Sequence, residues 1–354
     1  MTSPETDVVF AGESIAHGET KDLQLEVSAS YAGLPLHVPF KVIRARRPGP
    51  AVFVTAAVHG DELNGTGIVR ELMLNPQFVL ESGTLVLIPV VNMLGFERHE
   101  RYLPDRRDLN RSFPGSSRGS MARRYAGAIF EVLRKCDFGI DLHSAALRRT
   151  NFANVRADLT DEATAKLAWA FGCEITVNSK GPMGSLRRSC LKAGCPTIIL
   201  EAGEVWKIEP AVVDVGTRGV ANVLKSLGMI TGQIQTPAYQ AQIDKTKWVR
   251  ADNGGLLQFH VSPGDVVDRN QELATNSDLL GKEQNVLLSP VSGIVLGMTT
   301  LPAVKPGDPV CHIAIPRSGV RQIRKALENQ ERGEVEERLL DDLASSIQVT
   351  KEGE

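Results

Sequence analysis

The chain has 354 residues, 42% apolar and 23% charged, ordinary values for a globular protein long enough for about two domains and able to bury a core without staples. Lys plus Arg number 40 and Asp plus Glu 42, a formal net charge of −2, which excludes a chain that wraps nucleic acid through a basic excess. No apolar run approaches the roughly 20 residues that cross a bilayer. The start lacks the basic and then apolar regions of a signal peptide. The five cysteines are odd in number and irregularly spaced, with no CxxC pair, and read as reduced thiols. These features predict a cytoplasmic protein with neither membrane nor nucleic acid as partner.

In chain order, residues 1–48 read as strand material, for example Leu34, Leu36 and Val38 in alternation and the run Phe40-Lys41-Val42-Ile43. The nearly continuous apolar run Ala51–Val58 marks a strand buried on both faces. A helix pattern follows over Gly65–Leu74 and stops at Pro76. Thr84–Val90 is a second buried strand, Gly119–Arg134 a helix, and Phe138–His143 a short strand. Helix Asp161–Phe171, strand Glu174–Val177, helix Ser185–Lys192, strand Thr197–Leu200 and helix Pro210–Leu227 complete the series. Strands alternating with helices predict an α/β layer fold whose functional groups gather at the carboxyl ends of the strands.

The texture changes near residue 230. Thr231–Pro237 reads as a linker, and from there to about Ile315 short apolar runs broken by Gly, Pro, Asn and Asp predict a smaller all-β, barrel-like region. It repeats itself: Val261-Ser262-Pro263-Gly264-Asp265-Val266-Val267 is echoed by Val304-Lys305-Pro306-Gly307-Asp308-Pro309-Val310. The stretch Ser318–Ser346 is charged and predicts a solvated surface helix. The expected division is therefore 1–232, 233–318 and a charged tail over 319–354.

Three clusters carry chemistry. The first buried strand ends in Val58-His59-Gly60-Asp61-Glu62, where a strand-to-helix corner can aim His59 and Glu62 at one point, and His143 ends another strand. Two histidines and a glutamate make a three-ligand zinc site with a fourth position open. From spacing alone, hydrogen-bonded turn histidines are an equally good reading. The second cluster is Arg98–Gly115, with five arginines against three acidic residues. Arginine grips carboxylates through a planar fork, which points to a small anionic substrate; Leu109, Phe113 and Pro114 are expected to anchor the loop in the core. The third is Ile198–Glu204, where Glu201 ends a buried strand and beside a metal would serve as general base.

HGDEx2G, DLNRxFPG, DLH and ExG, in that order, resemble the succinylglutamate desuccinylase/aspartoacylase family, a branch of the zinc carboxypeptidase-like fold, over roughly residues 45–320. The resemblance implies a mixed sheet flanked by helices and one Zn2+ on His59, Glu62 and His143. It implies that Asn110 and Arg111 grip a substrate carboxylate and that Asp108 orients the first ligand histidine. Glu201 would activate water and then protonate the leaving amine. An arginine would polarise the scissile carbonyl: Arg101 by its neighbour Tyr102, or Arg106 by its spacing to Asn110. The C-terminal region resembles a biotinyl or lipoyl carrier barrel, but Gly281-Lys282-Glu283 lacks the methionines that flank a carrier lysine. In the family such a domain narrows the active-site mouth, which favours small acylated amino acids. The resulting expectation is a zinc-dependent amidohydrolase acting on a small anionic N-acylated substrate, in a chain that can form homo-oligomers. Its alternatives are a zinc carboxypeptidase for short peptides and a non-catalytic metal-bound sensor.

Overall fold

The computed structural model describes residues 7–30, 32–75 and 78–328. A small hairpin, β1 (Val8–Phe10) and β2 (Glu13–Ile15), precedes the long antiparallel pair β3 (Thr20–Ala29) and β4 (Pro35–Arg44). Then β5 (Arg47–Ala56), α1 (Asn64–Leu74), β6 (Ser82–Ile88), α2 (Met93–Phe96), α3 (Met121–Leu133) and β7 (Phe138–His143) follow. Next come β8 (Arg149–Ala157), α4 (Glu162–Phe171), β9 (Ile175–Asn178), α5 (Leu186–Lys192), β10 (Thr197–Glu204) and α6 (Pro210–Ser226).

The apolar runs form the strands expected of them, and two-faced burial explains why they are apolar throughout. Val52, Val54 and Ala56 of β5 face a core shared with α1, α4 and α6, whereas Phe53 faces a second core with α3 and α5. In β7 and β10, Ile140, Leu142, Ile198 and Leu200 take the first side. Successive strand residues point to opposite faces, so Asp141, His143 and Glu201 take the second. Parallel pairing of β5 with β6 and β7, and of β7 with β10, gives the mixed sheet its central part.

Two features depart from expectation. Strand β8 is not visible as an apolar run, yet it pairs antiparallel with β10. That pairing carries β10 on to Glu204, so Glu201 lies inside its strand, beside a register shift between Glu201 and Gly203, rather than at the end.

The C-terminal region supplies β11 (Ala241–Arg250), β12 (Gly255–Phe259), β13 (Val266–Val267), β14 (Glu272–Ser277), β15 (Glu283–Leu288), β16 (Gly293–Thr299), β17 (Ala303–Val304) and β18 (Pro309–Pro316). β12, β14, β15 and β17 form a separate four-stranded sheet. Val249, Phe259, Leu273, Val295, Met298 and Cys311 are among the side chains of this region's own core. The repeated Pro-Gly-Asp turns share one hydrogen-bond scheme. Asp265 accepts from the Ser262 N–H at 2.8 Å, and Asp308 accepts from the Lys305 N–H at 2.9 Å. Lys282 lies in the exposed turn between β14 and β15.

The expected boundary after residue 232 falls between α6 and β11, but the sheet runs across it. β8 pairs with β9 through Asn154–Ala157 and with β16 through Arg149–Asn151. β9 pairs with β11, β11 with β18, and β18 with β16. Five strands, two before the boundary and three after it, thus close a ring. Of the charged tail, α7 (Arg321–Leu327) is described; the expected helix beyond residue 328 lies outside the described residues.

Candidate active site

His59 and Glu62 occupy the corner between β5 and α1, and His143 is the last residue of β7. Gly60 makes the corner possible: a Cβ there would lie 2.1 Å from the Gly95 carbonyl carbon, so no larger residue fits against α2. The three side chains are buried and converge. Glu62 Oε1 stands 2.6 Å from His59 Nδ1, and its Oε2 2.9 Å from His143 Nδ1. One ligand atom from each lies within 4.8 Å of the others.

The outer nitrogens are also held. His59 Nε2 lies 3.3 Å from Asp108 Oδ1, and His143 Nε2 lies 2.8 Å from Asp141 Oδ2. Each imidazole can give its Nε2 proton to a carboxylate and keep an Nδ1 lone pair facing inward, the arrangement that metal-ligating histidines use. Two imidazoles and one carboxylate suit zinc, so the donor set fits the expected ion.

The electrostatics follow from this crowding. Burial alone would raise the Glu62 carboxyl, but His59 and His143 hold it well below the usual carboxylate range. Burial alone would lower both histidines; Asp141 and Glu62 raise His143 well above its ordinary value, and Glu62 and Asp108 raise His59. Asp108 likewise falls below the usual range, because the hydrogen bond and charge of His59, with Arg101 beside it, outweigh burial.

The arginine-rich loop is anchored as expected by Leu109 and Phe113, which are buried, whereas Pro114 is exposed. Asp108 caps the short 3-10 turn Leu109–Arg111 by accepting from the Asn110 N–H at 2.8 Å. Asn110 is buried, and its Oδ1 accepts from the Leu186 N–H at 2.9 Å, tying the loop to the start of α5. Arg111 is exposed and donates to the Asn110 carbonyl at 2.7 Å. Of the two arginines left open by the sequence, Arg101 reaches the centre, with Nη1 3.3 Å from Glu62 Oε1 and Nη2 3.4 Å from Asp108 Oδ2. Arg106 is exposed, in a left-handed turn with φ 62°.

Glu201 is in register with His143 on the neighbouring parallel strand, which sets both side chains on one face. Its Oε2 accepts from Asn151 Nδ2 at 3.2 Å, and Arg156 Nη1 lies 3.7 Å from its Oε1. Glu204 is committed elsewhere, paired with Lys207 at 2.8 Å and accepting from the Thr300 hydroxyl.

Sequence reasoning missed Asp141, Asn151, Arg156 and Arg187. Asp141 had a signal, since a residue two before His143 on a strand shares its face. Arg187 of α5 is buried; its Nη1 donates to the Ser179 carbonyl at 2.7 Å, while its Nε has no partner among the described residues. Burial, and then the charge of Arg156, brings its pKa down to about 10.

The model of the succinylglutamate desuccinylase/aspartoacylase catalytic domain matches residues 48–227. The chain is 27% identical over 289 residues to the N-alpha-acetyl-L-2,4-diaminobutyric acid deacetylase of Halomonas elongata, covering 77% of this chain and 82% of that protein. A succinylglutamate desuccinylase/aspartoacylase structure from Rhodobacter sphaeroides superposes with a TM-score of 0.71 at 25% identity, over 83% of this chain and 95% of that one. The product-bound ectoine utilization protein EutE (DoeB) from Ruegeria pomeroyi shares the fold, with a TM-score of 0.72 at 23% identity over 84% of this chain and 94% of that one. Together with the order of the motifs along the sequence, the match over residues 48–227 shows that this chain belongs to the succinylglutamate desuccinylase/aspartoacylase family.

Proposed function

We propose that the protein is a zinc-dependent amidohydrolase that removes the acyl group from a small N-acyl amino acid, on a zinc carboxypeptidase-like sheet. The observation that carries this reading is the convergence of His59 Nδ1 and His143 Nδ1 on Glu62, beside a Glu201 in register with His143. The Halomonas relative, whose name describes a deacetylase of an acetylated amino acid, supports the same reaction class. Five free, buried cysteines support a reducing, cytoplasmic setting.

His59, Glu62 and His143 would hold the ion. When bound, zinc supplies a Lewis acid that makes water nucleophilic near neutral pH. The chain's own groups do the rest. Asn110 and Arg111 receive the substrate carboxylate and set the scissile amide beside Glu201. Glu201 takes the proton of the attacking water at one carboxylate oxygen, while Asn151 orients the carboxylate. Arg101 faces the carbonyl oxygen and stabilises the charge that develops there. Glu201 then returns its proton to the leaving nitrogen, and the amine departs.

The test is a screen of the zinc-loaded protein against acetyl-, succinyl- and formyl-amino acids, with dipeptides in parallel, reading released amine. Hydrolysis of N-acyl amino acids well above dipeptides is expected. A preference for dipeptides would favour the carboxypeptidase reading, and no turnover of either class would overturn both.

A further inference from the structure

Gly203 of the ExG motif takes no part in the proposed chemistry, and neither does Asn64 of the HGDEx2G motif. The structure brings them together. Gly203 lies in the left-handed region with φ 67°, and a Cβ there would collide with Glu209 Oε2 and meet Asn64 Nδ2 at 2.7 Å. The glycine therefore leaves room for a polar clamp against the strand that carries Glu201.

The clamp is reciprocal. Asn64, at the start of α1, accepts from the Glu209 N–H through Oδ1 at 2.8 Å, and its Nδ2 donates to Glu209 Oε2 at 2.8 Å. Glu209 is the N-cap residue of α6. Asn64 Nδ2 also reaches the Glu204 carbonyl at 3.0 Å and the Ser144 hydroxyl at 3.2 Å. An amide nitrogen carries two protons, so three acceptors place it at a junction of α6, β10 and the segment after β7. Glu209 Oε2 accepts in addition from the Glu204 N–H at 2.8 Å. Both side chains are buried, where a donor left without a partner is costly.

What the clamp holds is the register beside the general base. Glu201 pairs with Asn154 of β8 and Gly203 with Asn151, two residues along β10 against three along β8. Asn151 and Asn154 are an odd number apart and would point to opposite faces of a regular strand. The shift brings Asn151 round to the face of Glu201, where its Nδ2 donates to Glu201 Oε2 at 3.2 Å. Irregularities of this kind re-aim side chains beside active sites. The shifted end of β10 is pinned residue by residue. The Gly203 carbonyl accepts from the Ala145 N–H at 3.1 Å, and both backbone groups of Glu204 bond to the clamp.

A clamp that only tied α1 to α6 would need the Asn64–Glu209 pair alone. It would not need Glu209 Oε2 on the Glu204 N–H, nor a glycine at position 203 to admit that oxygen.

We propose that Asn64 and Glu209 are positioning residues for Glu201: they fix the end of β10 in the shifted register that gives the general base its Asn151 contact. The inference rests on the deacylase reading for what Glu201 does, and goes beyond it by naming the two residues that aim it. The reach of the Glu209 carboxylate, rather than its charge, is what sets Glu201.

The experiment compares Glu209→Asp, which keeps the charge and withdraws the oxygens by one methylene, with Glu209→Gln, which keeps the reach and one acceptor oxygen. Aspartate is a favoured N-cap residue, so the shorter variant should fold. In crystals of the zinc-loaded protein, Glu209→Asp should move Glu201 off Asn151 by about 1 Å, and Glu209→Gln should leave it in place. On the best N-acyl amino acid, Glu209→Asp should lower kcat by about 10–100-fold with KM within about threefold, because Asn110 and Arg111 are untouched. Glu209→Gln should keep kcat within about threefold of the wild type. In a Glu201→Gln background, Glu209→Asp should cost little further, since a base already removed cannot also be misplaced. Glu201 unmoved in Glu209→Asp, or an equal kcat loss with and without the Glu201 carboxylate, overturns the positioning role. So does a Glu209→Gln as impaired as Glu209→Asp. Glu201 displaced in Glu209→Asp alone, in a protein that hydrolyses no N-acyl amino acid, keeps the clamp and overturns the deacylase reading. Hydrolysis by the wild type, with Glu201 unmoved in Glu209→Asp, does the reverse.

Discussion

Asp141 holds the far side of His143: its Oδ2 stands 2.8 Å from Nε2, while its Oδ1 accepts from the Thr55 hydroxyl at 2.8 Å. The two residues sit on one face of β7, and Thr55 reaches in from β5, so the imidazole is fixed by the sheet itself. A ring that gives its Nε2 proton to Asp141 is held in the tautomer that presents Nδ1 to a metal. Asp108 does the same for His59 from a loop.

Asp141→Asn therefore should weaken zinc binding by about 10–100-fold, the usual effect of losing such a partner. Competition against a chelator of known affinity measures it. The parent should hold about one zinc per chain in elemental analysis, and His59→Ala and His143→Ala should lose it. Full occupancy in both alanine variants would remove these histidines from the ligand set.

Glu201→Gln keeps the shape of the side chain and loses the proton acceptor. It should retain zinc and substrate binding, while kcat falls by about 10²–10⁴. Glu204→Gln is the matched control, because Glu204 pairs with Lys207 and Thr300 instead of facing the centre. A larger kcat loss in Glu204→Gln than in Glu201→Gln would exchange their roles.

The arginines separate by position. Arg101→Gln should lower kcat/KM by about 10²-fold or more, the scale of one lost donor to a developing oxyanion. Arg106→Gln, at an exposed turn, should stay within about threefold. Arg111→Lys should raise KM, since an ammonium cannot copy a bidentate contact. Steady-state kinetics on the best substrate of the screen reads all three, and a normal KM in Arg111→Lys would remove the carboxylate contact.

His312 of β18 gives a pH prediction. Burial first, and then the charges of Arg156 and Arg149, lower its folded pKa to about 4, and an unfolded histidine titrates near 6.5. Between those values the unfolded chain binds the extra proton, so this residue's contribution to stability is present above about pH 6.5 and is lost as the pH falls toward 4. Urea unfolding of the wild type and His312→Gln across this range should show the gap between them shrinking toward acid. A gap that stays constant would mean that His312 does not titrate in this way.

The candidate metal ligands were legible because they end apolar runs: His59 follows Val52–Val58, which is buried throughout, and His143 closes β7, buried from Gly139 onward. Leu109 and Phe113 made the arginine loop legible as a packed element rather than a solvated one. Strand β8 was not legible, and the reason is its work. Asn151, Asn154 and Arg156 break the apolar pattern of Arg149–Ala157 because they face Glu201 and its surroundings. Functional side chains erase the periodicity by which a strand is recognised. Arg101 and Arg106 could not be separated by spacing, since the loop's path decides which one returns to Glu62. The pairing of Arg149–Asn151 with Gly297–Thr299 joins segments far apart in the chain, and no local pattern records it.

That pairing bears on how such a chain can diverge. The five-strand ring takes β8 and β9 from one half and β11, β16 and β18 from the other, so the halves are not exchangeable parts. A chimera joined between residues 231 and 240 must bring a β16 that meets β8 in the register of Gly297 opposite Asn151. A slip by one residue would turn every side chain of the grafted strand to the wrong face, and a missing graft would leave the edges of β8 and β9 open to other chains. Recombination at the apparent linker is thereby restricted to donors that share the register, and the C-terminal half is inherited together with the candidate site it adjoins.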